Sequence, residues 1–185
     1  MKKITDVSDL RGKRVIVRAS LNVPVKDGVV TNNYRITRAL PTLRYLHEQG
    51  AKVILLAHIG RDPEETLKPV YTELEKYLPI QWGGPIDSPT FAEHAALLAE
   101  GNLLMAENTR QNAGEKTPEP EFAEQIAQFG DIYVNDAFAA AHREHDSTFA
   151  IAKLLPAYAG LNLIEEIDHL KRVMTPEQPA LFMIG

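Results

Sequence analysis

The sequence predicts an α/β fold: an open parallel sheet with helices on both faces, forming a single domain. Two observations lead there. Short apolar, β-branched runs alternate with segments of helical periodicity along the chain. The runs are also almost wholly apolar rather than alternating apolar and polar, as expected of strands covered on both faces. A chain of 185 residues suffices for one good core, and neither a repeat nor a low-complexity tract divides it.

The elements follow in order. Arg14–Arg18 (RVIVR) reads as the first strand. Ile36, Ala39, Leu40, Leu43 and Leu46 recur at the spacing of one helix face. Lys52–Ala57 (KVILLA) follows the turn at Gln49-Gly50 as the second strand. Pro69–Leu78 and Pro89–Glu100 are helices opening on proline, which fits the first helical turn. Asn102–Ala106 is the third strand. Phe122, Ile126 and Phe129 line another helix, and Asp131–Asn135 is the fourth strand. Ile164, Ile167, Leu170 and Met174 line a late helix that stops before Pro176, and Ala180–Gly185 is the fifth strand. Lys26-Asp27-Gly28 and Gln81–Pro85 read as turn-rich insertions, with Gly83-Gly84 in a loop. Five alternations of strand and helix give a Rossmann-like, three-layer arrangement.

Composition narrows the function. Apolar residues make up 44% and charged residues 24%, ordinary for a globular protein. A net charge of -5 argues against nucleic acid or an anionic membrane as partner. The absence of cysteine removes disulfides, thiolate metal sites and cysteine nucleophiles, and fits a reducing compartment. No apolar run approaches about 18 residues, and MKKITDVSDLRGK lacks the apolar core of a signal peptide. A cytoplasmic location is the expectation. Neither a G-x-x-x-x-G-K-[ST] loop, nor a G-x-G-x-x-G after a strand, nor a G-x-S-x-G elbow occurs.

In open α/β sheets, ligands bind beyond the carboxyl ends of the strands. After the first strand stand Ser20, Asn22 and Pro24, with Arg35 opening the next helix. After the second come His58, Gly60 and Arg61. After the third come Glu107, Asn108 and Arg110. After the fourth come Asn135, Asp136, His142, Arg143 and His145. Each of the first four strands is thus followed by an arginine. Singly, an arginine is usually a solvated surface residue. Four on one rim would instead make a grip for a small, multiply charged anion. His58, His142 and His145 admit a metal-binding reading, which the neighbouring positive charge disfavours, and His145 also reads as a loop residue that caps backbone groups.

These residues carry a further pattern. VRASLNVPVKDG (Val17–Gly28), RITRALPTLRYL (Arg35–Leu46), GAKVILLAHIGR (Gly50–Arg61), LKPV (Leu67–Val70), ENTR (Glu107–Arg110) and DIYVNDAFAAAHREHDST (Asp131–Thr148) occur in order over nearly the whole chain. Together they resemble the N-terminal, 3-phosphoglycerate-binding domain of phosphoglycerate kinase, and the match spans 1–185.

The resemblance implies a glycolytic phosphotransferase with a carboxyl acceptor, converting ATP and 3-phospho-D-glycerate to ADP and 1,3-bisphosphoglycerate. Asn22, His58, Arg61, Arg110 and Arg143 match positions that hold 3-phosphoglycerate. Gly60 lies in the same H-x-G-R segment, and His142 in the family's basic patch. Arg35 matches the catalytic arginine that neutralises charge on the phosphoryl group in flight. Ser20 stands where the family has a substrate-contacting aspartate, and Leu21 where it has an aromatic residue. The family's C-terminal nucleotide domain, with its magnesium-ATP, is expected outside this chain. The chain itself is expected to hold no cofactor or metal, to be monomeric, and to be inactive alone. The alternative is a stand-alone, non-catalytic module that binds a phosphorylated acid.

Overall fold

The protein is described from a computed structural model, which covers residues 1–116, 121–174, 176, 181 and 183. Its elements are β1 (Arg14–Ala19), β2 (Val25–Lys26), β3 (Val29–Val30), α1 (Tyr34–Glu48), β4 (Lys52–Leu56), α2 (Lys68–Leu74), β5 (Ile80–Gly84), α3 (Pro89–Leu97), β6 (Leu103–Ala106), α4 (Glu121–Ala127), β7 (Ile132–Asp136), α5 (Ile151–Leu154), β8 (Ala157–Ala159) and α6 (Leu161–Met174). Six strands form one sheet in the order β5-β6-β4-β1-β7-β8, and every neighbouring pair is parallel. β2 and β3 form a separate hairpin closed by Asp27 and Gly28, both at positive φ (51° and 74°), the geometry that favours an Asp-Gly turn.

Strand period explains the two cores. Val15, Val17, Val53, Leu55, Leu103, Met105 and Val134 face one side, where Ile36, Leu40, Leu43 and Leu46 of α1 and Val70 and Leu74 of α2 cover them. Ile16, Ile54, Leu104 and Tyr133 face the other side and pack on Phe91 of α3, Phe122 and Ile126 of α4, and Ile151 of α5. Each wholly buried aliphatic side chain contributes roughly 1.5–3 kcal/mol. With both faces covered, the strands must be apolar throughout, so the apolar runs and the parallel sheet have one cause.

Three segments differ from the sequence expectation. Residues read as the Gln81–Pro85 loop form β5. Glycine is unusual in strands, but a Cβ on Gly83 would come within 2.5 Å of the Phe91 ring, so the close approach of α3 requires it. Trp82 pins the same edge strand by packing on Tyr71, ring centroids 5.5 Å apart. β8 is too short to read from periodicity. Its outer edge is covered where the Ala159 N–H donates to the Lys2 carbonyl (2.9 Å). On α6 the expected apolar face packs only near its start, and Leu170 (46%) and Met174 (82%) are exposed. The strand expected at Ala180–Gly185 lies mostly outside the described residues.

Asp136, at the end of β7, fastens the start of α6. Its Oδ1 accepts the N–H of Asn162 (3.0 Å) and Leu163 (3.2 Å), two of the amides a helix start leaves free. Thr42 Oγ1 accepts the Leu161 N–H (2.9 Å), and Arg38 of α1 pairs with Glu165 of α6 (3.0 Å). A Cβ on Gly160 would lie 2.2 Å from Asp136 Oδ1, so only glycine fits there. Asp136 is 1% exposed and its Oδ2 has no partner among the described residues. Burial raises its pKa to about 6, against the opposing hydrogen bonds from Thr42, Leu163 and Asn162.

An acid whose folded pKa lies above its unfolded value holds its extra proton in the fold. Its contribution is therefore present at low pH and lost as pH rises from about 4 to about 6. Urea unfolding of wild type and Asp136→Asn at pH 4 and pH 7 should show the wild type losing roughly 3 kcal/mol relative to the variant over that interval. Parallel stability curves would contradict the assignment.

Candidate functional site

The loops after β1, β4, β6 and β7 leave one edge, because these four strands are parallel neighbours in the sheet. Hydrogen bonds stitch the loops together. Asn22 Oδ1, after β1, accepts the Gly60 N–H after β4 (3.0 Å). The Gly60 carbonyl accepts from the Arg110 guanidinium after β6. Asn108 Nδ2 donates to the carbonyls of Ile59 (3.1 Å) and Glu65 (2.7 Å). Arg35 donates to Ser20 Oγ (3.3 Å). Gly60 sits at φ 63°, and a Cβ there would meet the Glu65 carboxylate at 1.6 Å. That carboxylate accepts the N–H of Arg61 (2.9 Å) and Asp62 (3.3 Å), fixing the turn that presents the Arg61 side chain.

Beneath the rim lies a buried polar chain. Arg18, at 0% exposure, donates from Nε to Ser147 Oγ (3.0 Å), and from its other nitrogens to the Ala19 carbonyl (2.5 Å) and to His58 Nδ1 (2.5 Å). Ser147 Oγ donates in turn to Glu115 Oε1 (2.7 Å), which also accepts from Thr109 Oγ1 (3.1 Å). Glu115 is 1% exposed, and its Oε2 accepts the Ser147 N–H (3.0 Å). Burial lowers the Arg18 pKa, and the Glu115 charge offsets part of that.

The electrostatics tie the rim into one group. His58 is pushed down to about 3, by burial first and then by Arg18, Arg110, Arg143 and His145. Arg110 is lowered by burial, then by Arg143, with a smaller effect from Arg61. His145 is lowered by burial despite Glu115 Oε1 at 3.7 Å, so at neutral pH that contact is not an ion pair. Among the described residues, the guanidinium groups of Arg61 and Arg143 make no hydrogen bond or ion pair, leaving both forks available.

The sequence-derived residues divide as follows. His58, Arg61, Arg110 and Arg143 fall into one electrostatic cluster, with Asn22 and Gly60 as its backbone ties. Arg35 and Ser20 share the edge but stand to one side, lining a cavity of about 240 Å³ with Arg38 and Asp136. His142 is exposed and its side chain makes no hydrogen bond or ion pair among the described residues. The His145 backbone carbonyl accepts the N–H of Thr148 and Phe149, and its side chain makes no capping hydrogen bond. Among the described residues no group of three His, Cys, Asp or Glu side chains is arranged to hold a metal. Sequence reading missed Arg18, Ser147 and Glu115. The available signal was the charge of Arg18 directly after the apolar run Val15–Val17.

Against this geometry, the family model described as phosphoglycerate kinase matches residues 4–185. The chain belongs to the phosphoglycerate kinase family. A phosphoglycerate kinase of Methylorubrum extorquens is 44% identical over 192 residues, covering 100% of this chain and 48% of the relative. One from Maricaulis maris is 47% identical over 193 residues, with the same coverage. The solved phosphoglycerate kinase of Coxiella burnetii superposes with TM-score 0.83 at 36% identity, over 96% of this chain and 46% of that one. That of Pyrococcus horikoshii gives 0.89 at 30% identity, over 97% and 47%. The chain thus spans about half the length of the curated relatives it matches.

A histidine whose folded pKa is depressed contributes stability that is present above its unfolded value and lost as pH falls from about 6.5 towards 3. The imidazole C–H resonances of His58 should accordingly stay flat from pH 5 to 8. A midpoint near 6.5 would show that the rim does not hold its charges as described.

Proposed function

We propose that this chain forms the acceptor-binding half of a phosphoglycerate kinase, taking 3-phosphoglycerate on the basic rim. The supporting observation is that the unpaired forks of Arg61 and Arg143 stand beside Arg110 and His58 at the carboxyl edge of the sheet, in a chain of that family. Guanidinium groups match phosphate and carboxylate oxygens with paired hydrogen bonds. In this reading His58, Arg61, Arg110, Arg143 and the free amide of Asn22 hold the anion, with His142 in the surrounding field. Arg35, at the exposed start of α1, neutralises charge on the phosphoryl group as it reaches the acceptor carboxylate. Such transfers need positioning and charge stabilisation more than covalent help. Ser20 supplies one neutral hydroxyl where the family has a carboxylate, so it holds the substrate hydroxyl more loosely.

The whole protein would use magnesium-ATP as donor. The family resemblance puts that donor in the C-terminal domain, and among the described residues no group of three His, Cys, Asp or Glu side chains is arranged to hold a metal. The donor site is therefore assigned outside them, and this chain alone is expected to give no turnover. No helix among the described residues is long and apolar enough to cross a membrane.

Calorimetric titration of the chain should detect 3-phosphoglycerate, more weakly at high salt, with poorer binding of its 2-phospho isomer. Arg61→Ala and Arg143→Ala should each lose roughly 1.5–3 kcal/mol, about ten- to a hundred-fold in affinity. Unchanged binding in both variants would refute the assignment.

A further inference from the structure

We infer that Arg18 is a positioning residue for His58, holding its imidazole in the tautomer whose Nε2–H faces outward as a hydrogen-bond donor to the anion on the rim. The inference rests on the proposed function for its ligand, and on geometry alone for the tautomer.

A guanidinium group has donors and no acceptor. Arg18 stands 2.5 Å from His58 Nδ1, so that nitrogen must offer its lone pair. A proton on Nδ1 would set N–H against N–H. The ring therefore carries its proton on Nε2. Among the described residues Nε2 makes no hydrogen bond, and it is absent from the buried side-chain atoms that lack a partner, so it is open to solvent. The Arg18 side chain has little freedom to turn away. It is wholly buried, and its other two nitrogens are held by Ser147 Oγ and the Ala19 carbonyl. Glu115, acting through Ser147, supplies the balancing charge.

The arrangement sets what His58 can do. Burial first, and then the charges on Arg18, Arg110 and Arg143, keep it neutral, so it is unsuited to donating a full proton near neutral pH. It is suited to donating a hydrogen bond of fixed direction to a phosphate or carboxylate oxygen. A neighbouring arginine that pointed elsewhere would leave the ring free to flip its tautomer. Arg18 thus acts on the anion through another side chain, without touching it.

Two measurements test this. The first uses the unliganded wild-type chain with ¹⁵N-labelled histidine and long-range ¹H–¹⁵N correlation spectra between pH 5 and 8. His58 should show a protonated Nε2 and an unprotonated Nδ1 throughout. A protonated Nδ1, alone or in an imidazolium ring, would overturn the inference. This measurement needs neither a variant nor a ligand, so it stands even if 3-phosphoglycerate fails to bind and the functional reading falls. The second is a double-mutant cycle read by 3-phosphoglycerate affinity, using Arg18→Gln, His58→Gln and the pair. A glutamine at position 18 accepts as well as donates, so it no longer enforces the tautomer. Arg18→Gln should weaken binding about ten-fold when His58 is present, and by less than about two-fold in the His58→Gln background, where an amide donates without any tautomer to set. Equal losses in both backgrounds would give Arg18 a merely structural role and overturn the inference. Should Arg18→Gln fail to fold, the wild-type spectra still decide.

Discussion

A guanidinium group with no route to water organises the edge of this sheet. Arg18 stands one residue before the end of the central strand β1, and burying its charge is tolerable only if each nitrogen finds a partner and a counter-charge lies near. The fold meets that demand by drawing in three other segments. His58 arrives from the loop after β4, Glu115 from the loop after β6, and Ser147 from the segment after β7. The same contacts that satisfy Arg18 therefore bring together the loops that carry Arg61, Arg110 and Arg143. Loop convergence is a consequence of a buried charge as much as of strand order.

Above that chain the rim is under electrostatic tension. Arg143 weighs against the charge of Arg110, and both weigh against protonation of His58. Like charges this close raise the free energy of the unliganded state, and a bound anion relieves it. Short ties hold the loops against the repulsion: the Gly60 amide on Asn22, and the Arg110 fork on the Gly60 carbonyl. The rim thus gathers positive charge in a protein whose net charge is -5, and its basicity is local. Asp136 works at the adjacent strand end, where its carboxylate fastens α6 and forms part of the wall of the cavity beside Arg35.

Much of this was legible in the sequence. Val15–Val17 and Val53–Leu56 are apolar at consecutive positions because helices cover both faces, so the parallel sheet could be read from β1 and β4. The arginines after four strands marked the edge on which they gather. What periodicity hid were elements whose stability comes from distant partners. β5 contains Gly83 because Phe91 packs against it, a reason visible only once α3 is in place. β8 is three residues long and depends on β7 and on the N-terminal segment. Glu115 looked like one acid among many, since nothing local signals that it will be buried 97 residues away from the arginine it balances. Arg35 shares the edge but lines a cavity to one side with Ser20 and Asp136, a distinction that strand order alone cannot draw.

The central claim is that one small phosphorylated acid docks across the four loops together. Amide chemical shifts of the ¹⁵N-labelled chain, followed while 3-phosphoglycerate is added, test it most directly. The account predicts saturable shifts in four groups at once: Ser20–Asn22, His58–Arg61, Asn108–Arg110 and the backbone around Arg143, with the opposite edge of the sheet unmoved. Shifts confined to one loop, or spread over surface lysines without saturation, would contradict it.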